Sequence, residues 1–278
     1  GRFASGGWVA RLHTQASKTV ESADTTRWIA RYQGLSAHCA AIETKQIEAA
    51  RVDGPPLSCY GFLAAAKPDG ATVARVAALA EPFLAIEPVS VKDRPPPVAD
   101  ADPLDYVSIG RYFHPTIDGG YTVVDGVMNP AAVRGRPEAD GYDRYRLQTM
   151  IEAVTTLTLA HRLTGKSEYA AKAVAFVERW FIDPATRMNP HGRFAQIRPD
   201  IAGVFNPLGS IDFRDLWPLT DALVMLRQAG FIADDAEAEL KRWFRAFHRH
   251  LVDRAGAAGF RLNNIGAVYD QLLAAIAA

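Results

Sequence analysis

RYRLQTMIEAVTTLTLAHRLTGKSEYAAKAVAFVERWFIDPATRMNP, residues 144–190, is the stretch whose reading decides the fold. Leu147, Met150, Ile151, Val154 and Leu157 fall at three- and four-residue steps, which places them on one face of a helix. Thr164-Gly165-Lys166 ends that helix, and Gly165 supplies the left-handed backbone that a helix C-terminus favours. Ser167 is placed to cap a second helix, whose stripe is Tyr169, Ala173, Phe176, Val177 and Trp180. Asp183-Pro184 stops it, and an irregular loop over 185–190 follows. The short connection makes the two helices antiparallel, with both stripes against one shared layer.

The same plan continues downstream. Trp217, Leu219, Leu223 and Leu226 mark a third helix that closes at Gly230. Asp234 caps a fourth, with Leu240, Trp243, Phe244, Phe247 and Leu251 as its stripe, and Gly256 and Gly259 interrupt before a last helix begins near Asn264. No sheet is expected in the 144–278 part. Upstream, Val73, Val76, Ala77, Ala80, Phe83 and Leu84 line one side of a helix over 70–87. Pro88 and Arg94-Pro95-Pro96-Pro97 turn the chain into an extended arm. The arm leads into residues 105–130, rich in aromatics, Gly and Asp and without a helical period. Long ordered loops on a helical scaffold are often functional. Residues 193–210 are irregular as well. Residues 1–66 stand apart as an N-terminal segment, in which Trp28, Ile29, Tyr32 and Leu35 have helical spacing and Gly54-Pro55-Pro56 is a break. Residues 67–278 read as one all-α domain.

Composition bounds the function. With 278 residues, 49% of them apolar, the chain can bury a sizeable core. Its 31 Lys and Arg balance 31 Asp and Glu, so it has no net field, which argues against a general nucleic-acid binder. A locally basic cleft for an anionic sugar is compatible with that balance. No apolar run approaches the length of a membrane span, and no signal peptide is visible at Gly1-Arg2-Phe3, so the expectation is either a leader already removed or a cytosolic protein. Cys39 and Cys59 either form a disulfide, contributing about 3 kcal/mol, or are two buried thiols. Their spacing is not that of a zinc site.

LTLAHRLTGKSEYAAKAVAFVERWFIDPATRMNP, at 157–190, resembles the alginate lyase family, helical toroid enzymes that cleave uronic acid polysaccharides. DYVSIGRYFHP at 105–115, GGYTVVDGVMNP at 119–130 and FRLNNIGAVYDQ at 260–271 agree with it in order and spacing. The last is similar to the family's NNHG-type active-site motif. The resemblance covers roughly residue 70 to the end and implies an incomplete (α/α) toroid of antiparallel helix pairs with long loops. The ring is expected to be short, because the family has further helices after this motif. It also implies β-elimination on alginate or a related polyuronate, in the periplasm or outside the cell, with no metal or organic cofactor. The expected partner is an anionic polysaccharide, with no nucleic acid and no membrane. The competing readings are a binding module of the same fold that does not cut, and a helical interaction protein.

A uronate lyase neutralises the C6 carboxylate, removes the C5 proton and protonates the leaving O4. Amides and Arg suit the first task, and Tyr or His the others. By resemblance Asn264, beside Asn263, holds the place of the carboxylate-binding amide; read alone, the pair is a helix cap. Ile265 stands where the family has its proton-transferring His, and the family's later catalytic Tyr has no counterpart before Ala278. Tyr269, one turn along from Ile265, is either a substitute base or a packing residue. Weak or absent cleavage is the expectation. Tyr106, Ser108, Tyr112 and Tyr121 either line the cleft, where rings stack on sugars, or pack the loops onto the scaffold. Arg187 and Gln196 flank the loop after the second helix, and Arg187 pairs either with a uronate carboxylate or with Asp183. His248 and His250 do not share a helix face, and His161 continues an apolar stripe. His114 and His191, each beside a proline in a loop, are the histidines expected near a cleft, and either is a lesser candidate for proton transfer.

Overall fold

The helix expected after Pro68 is α1, Gly70–Ala85, in a computed structural model that describes residues 68–95, 100–200, 206–254 and 264–277. Asp69 caps it, accepting a 2.7 Å bond from the Thr72 amide. The chain divides into two compact units, 1–64 and 65–278, and all described residues lie in the second. Cys39, Cys59, Gly256, Gly259 and Asn263 fall outside the described residues, as does every expectation for 1–66.

Among the described residues five further α-helices follow: α2 (Arg144–Thr164), α3 (Ser167–Val177), α4 (Leu216–Gln228), α5 (Asp234–Arg254) and α6 (Asn264–Ala277). α2 is central and packs against α1, α3 and α4, while α6 lies against α4 and α5. Its stripe is buried as expected, with Leu147, Met150, Val154 and Leu157 at most 1% exposed. Gly165 ends α2 at φ 73°, and its N–H donates to the His161 carbonyl at 2.8 Å. Ser167 does not cap α3. It is the first helical residue, and the cap position is Lys166, with extended backbone and no side-chain cap bond; the Thr164 hydroxyl accepts the Lys166 N–H at 3.3 Å.

After Val177 the helix widens into one π turn, Glu178–Ile182, closed by the Asp183 N–H on the Glu178 carbonyl at 2.8 Å. The wide turn buries two consecutive large rings, Trp180 and Phe181. Phe181 meets the α5 stripe edge-on at Trp243 (4.7 Å) and stacked at Phe244 (5.4 Å). Burying such a ring contributes about 1.5–3 kcal/mol. Trp243 donates its indole N–H to the Met188 carbonyl at 2.6 Å, which fastens the loop after α3 to α5.

Three regions depart from the expectation. Residues 105–130 contain β1 (Val107–Ile109) and a hairpin of β2 (Phe113–Pro115) and β3 (Tyr121–Val123). β4 (Phe194–Ile197) pairs parallel with β1, Val107 opposite Phe194, so the 144–278 part does hold a strand. Strands of three or four residues are too short to show a period. The arm is also not simply extended: Ser90 and Asp93 box a 3-10 turn, and Arg94 is buried against the start of α2. Its Nε donates to Asp143 at 2.6 Å and its Nη2 to the Asp105 carbonyl at 2.5 Å. Among the described residues no helix is long and apolar enough to cross a membrane.

Candidate functional site

Asp212 lies near the end of a 3-10 stretch, Pro207–Phe213, and is 4% exposed. Four side chains from three places converge on it. The Tyr106 hydroxyl (3.1 Å) and the Ser108 hydroxyl (2.5 Å), from the β1 segment, donate to Oδ2. Arg144 Nη1 (2.8 Å), in the first turn of α2, and Gln196 Nε2 (2.7 Å), on β4, donate to Oδ1. A buried charge is tolerable when it is paired and its lone pairs are filled, as here. The Ser108 oxygen also accepts the Gln196 N–H at 2.8 Å, which directs its own proton to Asp212. Burial and the Asp212 charge push the Tyr106 phenol well above its ordinary pKa, so it stays a donor.

Gln196 is strained. Its φ of 51° is the one positive value at a non-glycine among the described residues. The Ser108 bond, the Asp212 bond and an Asn206 amide donating to the Gln196 carbonyl at 3.2 Å hold it there. Strain fixed from several sides is a mark of functional sites. A Cβ on Gly209 would overlap the Ala195 carbonyl oxygen, so the 3-10 stretch rests directly on the β4 backbone.

Arg111, between β1 and β2, is half-buried. Burial, then the repulsion of Arg144 and Arg214, lowers its pKa, while Asp212 and Tyr145 act the other way. Arg144 is bonded to Asp212, and Arg214 lies 3.3 Å from Asp215. Among the described residues no hydrogen bond or ion pair holds the Arg111 guanidinium. Its fork is open to an anion.

A second polar cluster belongs to the loop after α3. Asp105 Oδ1 accepts from Asn189 Nδ2 at 2.8 Å and faces His191 Nε2 at 3.1 Å, and Oδ2 accepts the Asp102 N–H at 3.0 Å. Burial raises the Asp105 pKa, but the His191 and Asn189 bonds outweigh it and hold the carboxyl below the usual range. The His191 ring is 5.8 Å from that of His250. A chain of rings links this cluster to the first: Tyr106 lies 4.7 Å from Phe213, Phe213 4.9 Å from Phe247, and Phe247 6.4 Å from His250. A Cβ on Gly192 would meet the Phe213 ring at 2.8 Å, so the His191 loop sits on the residue beside Asp212.

The structure brings Tyr106, Ser108 and Gln196 together on one carboxylate. Tyr106 is fully buried, which corrects its reading as a ring that stacks on sugar. Tyr112 is 40% exposed. Tyr121 is held by its backbone, its N–H on Asp200 at 3.1 Å and its carbonyl accepting from Arg198 at 3.0 Å. Arg187 does not pair with the Asp183 side chain: its guanidinium lies 3.6 Å from Glu239, and only its backbone N–H reaches the Asp183 carbonyl, at 2.7 Å. Tyr269 is 6% exposed and donates to the Leu251 carbonyl at 3.0 Å, which makes it a packing residue and not a base. Asn264 opens α6 and is exposed, and Ile265 is half-buried against the core. His114 lies 2.8 Å from the Val127 carbonyl and His161 2.9 Å from that of Lys166. Sequence reasoning missed Arg111, Arg144 and Asp212. Asp212 had a signal, a lone acid between the bulky apolar Ile211 and Phe213. Among the described residues no group of three His, Cys, Asp or Glu side chains is placed to hold a metal.

A family model described as alginate lyase matches residues 90–278. Among solved structures, an alginate lyase from Bacteroides ovatus matches with a TM-score of 0.67 and 32% identity, over 74% of this chain and 54% of that one. The chain therefore spans about half the length of the structure it matches. No curated protein sequence matches.

Proposed function

This chain belongs to the alginate lyase family, and from that premise we propose that it acts on alginate or a related polyuronate by β-elimination. The observation that carries the reading is Arg111, an uncommitted guanidinium beside the Asp212 network. A uronate C6 carboxylate bound there would be neutralised in partly desolvated surroundings, where the charge pair is stronger than in water. That neutralisation makes the C5 proton acidic. Gln196, its amide nitrogen tied to Asp212, presents its amide oxygen to a sugar hydroxyl. In this reading the helices form part of an (α/α) toroid, Asn264 is a further amide for the carboxylate, and exposed Tyr112 is a stacking ring. The protein would work in the periplasm or outside the cell, where such polymers lie.

A second reading, a module that binds the polymer without cutting it, is favoured by Ile265 and by the buried, bonded Tyr269. Neither supplies a base where the family's motif has one. The test is ultraviolet absorbance of unsaturated uronate, together with calorimetric binding, on polymannuronate, polyguluronate and polyglucuronate. Turnover on any of them selects the lyase. Binding alone selects the module, and neither binding nor turnover removes both.

A further inference from the structure

We propose that His191, oriented by Asp105, is the proton-transfer residue of this chain and takes the role that Ile265 cannot fill. The inference rests on the lyase reading above. Asp105 is 5% exposed and ionised, so it only accepts hydrogen bonds. The His191 nitrogen facing it at 3.1 Å, Nε2, therefore carries a proton. In the neutral ring that leaves the lone pair on Nδ1. The carboxylate is independently anchored by Asn189 at 2.8 Å and by the Asp102 N–H at 3.0 Å, so it does not depend on the imidazole to stay in place. A fixed acid holding one tautomer of a histidine is the arrangement that general-base chemistry requires.

Access and position agree with this role. The His191 side chain is 31% exposed, whereas its partner is 6% exposed. Nδ1 meets the Arg193 N–H at 3.4 Å, beyond the usual range for such a bond, so little is lost when a substrate hydrogen replaces it. Asp105 and Tyr106 are consecutive, so one segment feeds both the His191 pair and the Asp212 network. Gly192, next to His191, seats the loop on Phe213, next to Asp212.

The step balances without a co-reactant. Nδ1 takes the C5 proton, the C5–H electron pair becomes the C4=C5 double bond, and the C4–O4 bond breaks. The imidazolium then returns the proton to O4, which becomes the anomeric hydroxyl of the departing sugar. An unsaturated uronate and a new reducing end are formed, and the histidine is neutral again.

The test uses the full chain, with His191→Gly, His191→Gln and Asp105→Asn assayed on the three polyuronates with and without added imidazole. Loss of a positioned general base costs about a hundred- to ten-thousandfold in rate. We expect that loss in kcat for both His191 variants, with polymer affinity within about threefold of the parent. Added imidazole should restore turnover in His191→Gly, a rescue that no purely structural role predicts, and Asp105→Asn should fall between. If His191→Gly fails to fold, His191→Gln, which fills the same space but has no base, decides the matter. Near-parental turnover in His191→Gln overturns the assignment and leaves the lyase reading standing. Loss in a folded His191→Gly without imidazole rescue also overturns it. A parent chain that turns over none of the three polymers overturns both.

Discussion

Asp143 and Asp212 are both buried carboxylates facing an arginine, yet their surroundings are unequal. Asp212 has both oxygens filled by four donors. Asp143 accepts from Arg94 and the Val107 N–H on one oxygen, and its other oxygen has no hydrogen-bond partner. Burial accordingly pushes Asp143 from 3.8 to about 7, against the pull of Arg94. A folded-state pKa above the unfolded one contributes stability that is fully present below the unfolded value and lost as pH rises through the folded one. The melting temperature of the parent should therefore decline, relative to Asp143→Asn, between about pH 4 and 7. Two curves running parallel across that window would refute the assignment. Asp212→Ala should be severe, since stripping one partner from a buried ion pair costs about 3–5 kcal/mol. For a unit of this size that is a fall of roughly 10 °C in a thermal melt, and a change under about 2 °C would mean that the network adds little. Neither environment was legible in the sequence. An acid's partners here lie as far away as Tyr106 from Asp212, and only folding joins them.

At the scale of elements, legibility followed length. α2 and α5 repeat their apolar stripe over several turns, so their existence and buried faces could be read directly. The strands could not, because three residues make barely one alternation and their pairing joins residues 107 and 194. The hairpin of β2 and β3 owes its placement to a contact of the same long-range kind. Arg198 donates to the Tyr121 carbonyl at 3.0 Å and to Asp200, whose carboxylate also accepts the Tyr121 N–H. The pair is partly exposed, so solvent screens it and it contributes little to overall stability. Arg198→Ala should thus leave the melt almost unchanged while hydrogen exchange over residues 113–123 rises several-fold. Unchanged exchange there would show that the hairpin stands on its own ladder.

For the whole molecule, 31 cationic side chains against 31 anionic ones leave no net charge to draw in a polyanion. On the proposed function attraction is local, and we place it at Arg111, beside Arg144 bonded to Asp212 and Arg214 paired with Asp215. The four ordered motifs made the family legible from the chain alone, and Arg111 even lies inside one of them, SIGRYF. The role proposed for it was not legible, because an arginine in a loop looks like any solvated charge until residues 144 and 214 fold beside it. A neutral molecule that holds a polyanion through a local group of cations makes a distinct prediction about salt. Screening shortens from about 10 Å at 0.1 M to about 3 Å at 1 M, so long-range attraction fades while a direct guanidinium–carboxylate bond persists in part. Polyuronate binding should weaken moderately over that range. Arg111→Gln should lose about ten- to hundredfold in affinity at 0.1 M, the equivalent of one hydrogen bond to a charged group. Its remaining salt dependence should be shallower than the parent's. Titration calorimetry at the two salt concentrations measures both quantities, and parental affinity in Arg111→Gln at 0.1 M would mean that the polymer's carboxylates are held elsewhere.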